Sequence, residues 1–116
     1  MGGDNDLIGF NNLYYSVSKE SKSISVTVVK KTGTELSFGI RSLDKSAKAP
    51  ADFKALDRVI TMASKEVEKV IQVEIIPKKQ LSQDKEFILE LYDPMVEGNP
   101  KFLGDDTQAK VMITDQ

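Results

Sequence analysis

Val67-Glu68-Lys69-Val70-Ile71-Gln72-Val73-Glu74-Ile75-Ile76, followed after a break by Phe87-Ile88-Leu89-Glu90-Leu91, decides how this chain folds. Val67, Lys69, Ile71, Val73 and Ile75 alternate with Glu68, Gln72 and Glu74. Phe87, Leu89 and Leu91 alternate in the same way with Ile88 and Glu90. A period of two makes a strand with one buried face, because successive side chains leave the backbone on opposite sides. Between the two runs lies Pro77-Lys78-Lys79-Gln80-Leu81-Ser82, a polar interruption with no carboxylate.

Outward from this pair, short strands recur along the chain. Leu7 to Val17 reads as a first strand, and Ser23 to Lys30 as a second with Ile24, Val26 and Val28 on one side. Lys31-Thr32-Gly33-Thr34 reads as a turn in which Gly33 can take positive φ, making a hairpin with Glu35 to Leu43. Val59 to Met62 is a short strand, and Ala109, Val111 and Ile113 mark the last. Asp93 to Asp106, with two prolines and two glycines, reads as a long loop. Leu56, Val59, Ile60, Ala63, Val67, Val70 and Ile71 also fit a helical spacing, with Asp57 as a cap. The β-branched residues beyond Val70 favour strands. Seven strands joined by turns predict an all-β, antiparallel sandwich whose two inner faces form the core.

The 116 residues carry 18 acids and 16 bases, a net charge of −2, with no His, Cys or Trp. This is enough chain for one core but not two. The charge balance argues against a nucleic-acid partner. No apolar run approaches the ~20 residues of a membrane-spanning helix, so no direct membrane insertion is expected. The absence of Cys excludes disulfides and thiolate metal sites. A start of Met-Gly-Gly-Asp-Asn-Asp lacks the features of a signal peptide, which favours a cytoplasmic setting. Without His or Cys, and without a nucleophile elbow or phosphate loop, nothing supports an enzyme.

Several segments resemble the Calx-beta family, and most of all the second of the paired cytoplasmic Calx-beta domains of sodium/calcium exchangers. Phe10-x4-Tyr15-x-Val17 is similar to the family's first strand. Asp44-Lys45-Ser46-Ala47-Lys48-Ala49-Pro50-Ala51-Asp52-Phe53 resembles its Asp-Gly-Thr-Ala-x4-Asp-Tyr/Phe loop. Lys69 to Ile76 resembles the strand entering an acidic cluster, and Lys85 to Leu91 the strand leaving it. Gly98 to Asp105 and Val111-Met112-Ile113 resemble the end of the exchanger's second domain. The resemblance runs from about Ile8 to Asp115. It implies a seven-stranded Ig-like β-sandwich, one Calx-beta domain over residues 1–116, cut from a larger protein. It also implies calcium held by the loops at one end.

Residue by residue, that implied site is depleted. The glutamate after the first strand falls on Lys19, and Glu20 beside it points to the other face. Asp52 keeps the loop aspartate, and Asp115 supplies one C-terminal acid. The acidic cluster falls on Pro77, Lys78, Lys79 and Ser82 among its neighbours. Calcium needs six to eight oxygen ligands. An ammonium about 8 Å from the ion costs on the order of 4 kcal/mol at an effective dielectric of ~20. Calcium is therefore disfavoured and no other cofactor is expected. Two readings of Lys78 and Lys79 stand: an ammonium that pairs with Asp52 or Asp115, or an ordinary solvated turn after Pro77, which is favoured unless the loop acids lie close by. For Asp52 a bland reading stays open, in which it braces the loop before Phe53. The resemblance implies a regulatory module at the cytoplasmic face of the plasma membrane. Its partners would be an adjacent Calx-beta domain and a membrane transport domain of the same chain. The alternatives are a calcium sensor with a site rearranged around Asp52, Asp115 and Glu20, and a structural or adhesion module.

Overall fold

The computed structural model describes residues 8–80, 83–100 and 107–114. Nine strands run in chain order: β1 (Ile8–Phe10), β2 (Tyr14–Ser18), β3 (Ser23–Lys30), β4 (Leu36–Asp44), β5 (Asp57–Met62), β6 (Glu68–Glu74), β7 (Lys85–Val96), β8 (Asn99–Pro100) and β9 (Gln108–Thr114). One sheet has the order β1-β3-β6; the other has β2-β9-β7-β4-β5, with β8 paired to β7. No helix occurs among the described residues, so the ambiguous stretch 56–71 is two strands, β5 and β6, joined by a turn.

The alternation read from sequence becomes the core. Val26 and Val28 of β3 and Ile71 and Val73 of β6 face Leu36, Phe38 and Ile40 of β4, with Phe87, Leu89 and Leu91 of β7 and Val111 of β9. All are buried. Each such side chain contributes about 1.5–3 kcal/mol by leaving water. Phe53, from the β4–β5 loop, stacks on Phe87 with ring centroids 3.9 Å apart, closing the core at the loop end.

Three expectations need correction. The first strand is two strands in different sheets. β1 pairs antiparallel with β3, then the chain crosses over and β2 pairs parallel with β9. Where β1 leaves, the Tyr15 hydroxyl accepts the Thr27 N–H at 3.4 Å, supplying an acceptor beyond the end of the β1 ladder. Second, β3 and β4 are not a hairpin: they lie in opposite sheets, and residues 31–35 arch between them. Gly33 keeps an ordinary negative φ there. The arch is held instead by Lys30, whose buried ammonium donates to the carbonyls of Thr34 (2.7 Å), Ala63 (2.6 Å) and Ser64 (3.1 Å). Those three bonds use all three ammonium donors and tie the β3–β4 and β5–β6 connections together.

Third, β7 continues through Val96 into what sequence reads as loop. Asp93, with φ of 49°, lies where β7 carries one residue more than β4 between the pairs Ser37↔Met95 and Gly39↔Tyr92, a β-bulge. Glu97 and Gly98, both at positive φ, then form the two-residue turn to β8. Residues 101–106 of the expected loop lie outside the described residues.

On the outer face of the larger sheet, polar side chains link four strands. Arg41 donates to Glu90 at 2.8 Å, and Gln108 donates to the other Glu90 oxygen at 2.8 Å. The Arg41 guanidinium lies 4.6 Å from the Tyr92 ring centroid, and the Tyr92 hydroxyl donates to Asp57. Tyr92 lies directly over Gly39, its ring filling the space that a Cβ would take.

Candidate metal site at the loop end

Four stretches converge at one end of the sandwich: the β2–β3 turn, the β4–β5 loop, the start of the β6–β7 connection and the end of β9. Backbone hydrogen bonds sew them together. Lys19 N–H donates to the Thr114 carbonyl (2.8 Å), and Lys78 N–H to the Lys19 carbonyl (2.7 Å). Ile75 N–H donates to Lys22 (2.9 Å), and Ile76 N–H to Asp52 (3.0 Å). The positions of Lys19, Asp52, Pro77, Lys78 and Lys79 are thus gathered at one apex. Ser82 and Asp115 lie outside the described residues.

Asp52 is buried, 5% exposed. Its N–H donates to the Lys48 carbonyl (2.8 Å), and its Oδ2 accepts the Lys48 N–H at 2.9 Å. This reciprocal pair braces the turn before Phe53. Its Oδ1 lies 3.5 Å from the Lys85 ammonium. The cation beside Asp52 is therefore Lys85; of the two readings of Lys78 and Lys79, the pairing with Asp52 is not the one observed. The side chains of Lys78 and Lys79 make no hydrogen bond or ion pair among the described residues. The reason lies in the parity of β7. Lys85 is two residues before Phe87 and leaves β7 on the same side, the side on which Asp52 lies. Parity was available in the sequence, since Lys85 continues the Phe87, Leu89, Leu91 series.

Three of the remaining acids nearby, Glu86, Glu74 and Asp44, are also engaged. Glu86 lies 3.6 Å from both Lys45 and Lys110, and Glu74 lies 3.8 Å from Lys54. Asp44 accepts the Ala49 N–H at 3.2 Å. Glu20 is exposed, and its N–H donates to the Ser18 hydroxyl. Among the described residues no three acidic side chains come together as a metal-binding group. Among the described residues the apex is a braced, lysine-bearing surface with a single buried carboxylate, Asp52.

A two-sheet sandwich with this loop end defines a class, and comparison assigns it. Residues 3–116 match the family model for the Calx-beta domain, and the chain belongs to that family. Comparison with curated proteins returns no match. Among solved structures the chain is similar to the apo-form Calx CBD1 domain. Identity there is 25%, covering 94% of this chain and 96% of that one, with a TM-score of 0.83. It is also similar to the calcium binding domain CBD12 of CALX1.1, at 25% identity and a TM-score of 0.84. That match covers 93% of this chain and 45% of the other, so the chain spans just under half of that protein. The Calx CBD2 domain superimposes with a TM-score of 0.87 at 14% identity, covering 100% of this chain and 91% of that one, a likeness of fold alone. The Ig-like β-sandwich implied by the sequence resemblance is the fold observed.

Proposed function

We propose that the chain is a non-catalytic regulatory Calx-beta domain of a sodium/calcium exchanger, with little or no calcium affinity of its own. It works at the cytoplasmic face of the plasma membrane as part of a larger integral membrane protein. There it couples a neighbouring calcium-sensing Calx-beta domain to the ion-transporting antiport machinery. The tandem arrangement named in CBD12 supports a neighbour of the same kind. The observation that carries the reading is the state of Asp52. One of its oxygens accepts a backbone N–H and the other faces the Lys85 ammonium, so a dication would have to displace a cation already in place. Lys19, Lys78 and Lys79 stand where the resemblance puts ligands.

Calorimetric titration of the 116-residue protein with calcium, paired with thermal unfolding, tests this. The expected outcome is heat no greater than dilution and an unchanged Tm at millimolar calcium. The rearranged site of Asp52, Asp115 and Glu20 predicts otherwise. A ligand at a hundred times its Kd stabilises the folded state by about 2.7 kcal/mol. That corresponds to a rise of more than about 10 °C in a domain of this size. Such a rise, with micromolar affinity, makes the protein a calcium sensor.

A further inference from the structure

We propose that the two lysine-bearing turns at the loop end, residues 19–22 and 76–80, form a docking surface for an anionic lipid bilayer. The chain as a whole is acidic, yet these turns hold Lys22, Lys78 and Lys79 against Glu20 alone, which leaves two positive charges without counting Lys19. They act as one surface because the Lys78 N–H donates to the Lys19 carbonyl at 2.7 Å and the Ile75 N–H to the Lys22 carbonyl at 2.9 Å. The side chains of Lys22, Lys78 and Lys79 have no hydrogen-bond or ion-pair partner among the described residues. Three described carboxylates near this end face other lysines: Asp52, Glu74 and Glu86 lie against Lys85, Lys54, and Lys45 with Lys110 respectively. At physiological salt, charge beyond about 8 Å is screened, so a surface touching this end meets the local positive charge rather than the net acidity.

The composition of the turns selects the partner. Neither turn holds an arginine or an aromatic residue, the groups that read phosphates in pairs or stack on bases. Lysines are flexible point charges suited to the diffuse field of anionic headgroups. Beside them Ile76 is 36% exposed and Pro77 is exposed, so an apolar tip accompanies the charges. That pairing fits the boundary between headgroups and acyl chains. The contact is peripheral, without a spanning segment. It rests on the loop-end charge and stands whether or not the chain serves an exchanger or binds calcium.

Co-sedimentation of the 116-residue protein with vesicles tests the proposal. Vesicles of phosphatidylcholine with about a third phosphatidylserine are compared with pure phosphatidylcholine, at low and at physiological salt. Each lysine facing an anionic surface raises partitioning about fivefold. Lys78→Gln with Lys79→Gln is therefore expected to lower it about twentyfold or more, while the melting temperature stays unchanged because those side chains hold nothing in place. Ile76→Ser is expected to weaken binding severalfold. Lys65→Gln, at the opposite end of the sandwich, is expected to leave it unaltered. Failure to bind serine-containing vesicles at low salt overturns the proposal, as does equal binding to both vesicle types or an equal loss from Lys65→Gln. Tight binding of inositol hexakisphosphate without vesicle binding also overturns it, by making the partner a soluble anion.

Discussion

Gly39 shows how a single residue without a side chain can organise a face. The Tyr92 ring occupies the space where its Cβ would be, and this lets Tyr92 reach Asp57 while Arg41 covers the ring. Gly39→Ala forces the ring away and is expected to cost about 1–3 kcal/mol, the usual range for overpacking. In a Tyr92→Ala background the same substitution should cost far less. Chemical denaturation of the four proteins checks this, and additive effects would show that the close approach does not matter. Glycine in a strand interior was visible in the sequence, but the residue filling its space was not, because Tyr92 is distant in the chain. Lys85 was legible in principle and Asp52 was found, since one follows strand parity and the other a loop motif. Lys78 and Lys79 are prominent in sequence yet make no contact with Asp52, because adjacency along a turn does not fix direction.

At the scale of strands, the Arg41–Glu90–Gln108 link joins β4, β7 and β9. The Gln108 and Arg41 hydrogen bonds hold the Glu90 carboxyl below the ordinary glutamate range. A carboxyl whose folded pKa is depressed contributes stability above its unfolded value, near 4.3. That contribution is lost as pH falls from there through the lower folded value. Glu90→Gln is therefore expected to lower Tm at pH 7, with the difference from the parent shrinking as the pH drops below about 4. Melts at pH 7 and pH 3 measure it; a constant difference would show that the charge contributes nothing. The strands themselves were mostly legible, because period-two alternation follows directly from backbone geometry. Their partners were less so. Alternation identifies the buried face of β3 and β4 but not whether the chain turns back within a sheet or arches to the other. The division of Leu7 to Val17 was hidden for the same reason, since β1 is buried and β2 packs its half-buried Tyr15 and Val17 on the same core, and alternation does not say which sheet receives each. The bulge at Asp93 disguised the last part of β7 by breaking its period.

For the molecule as a whole, the crossing of β1 and β2 sets how load travels. Ile8 pairs with Lys30 at the end away from the loop apex, whereas Ser18 and Thr114 finish side by side at that apex. A pull applied between Ile8 and Thr114 drags β2 and β9 in opposite senses along their common axis. Their register, from Tyr14↔Lys110 to Ser18↔Thr114, is then strained all at once, in shear. Tethers at Ser21 and Thr114 instead peel the same ladder open one rung after another. Force spectroscopy should find a distinctly higher rupture force for the first geometry, and equal forces would contradict it. The parallel seam makes this sandwich a stiff tie-rod along its strands and a zipper across them.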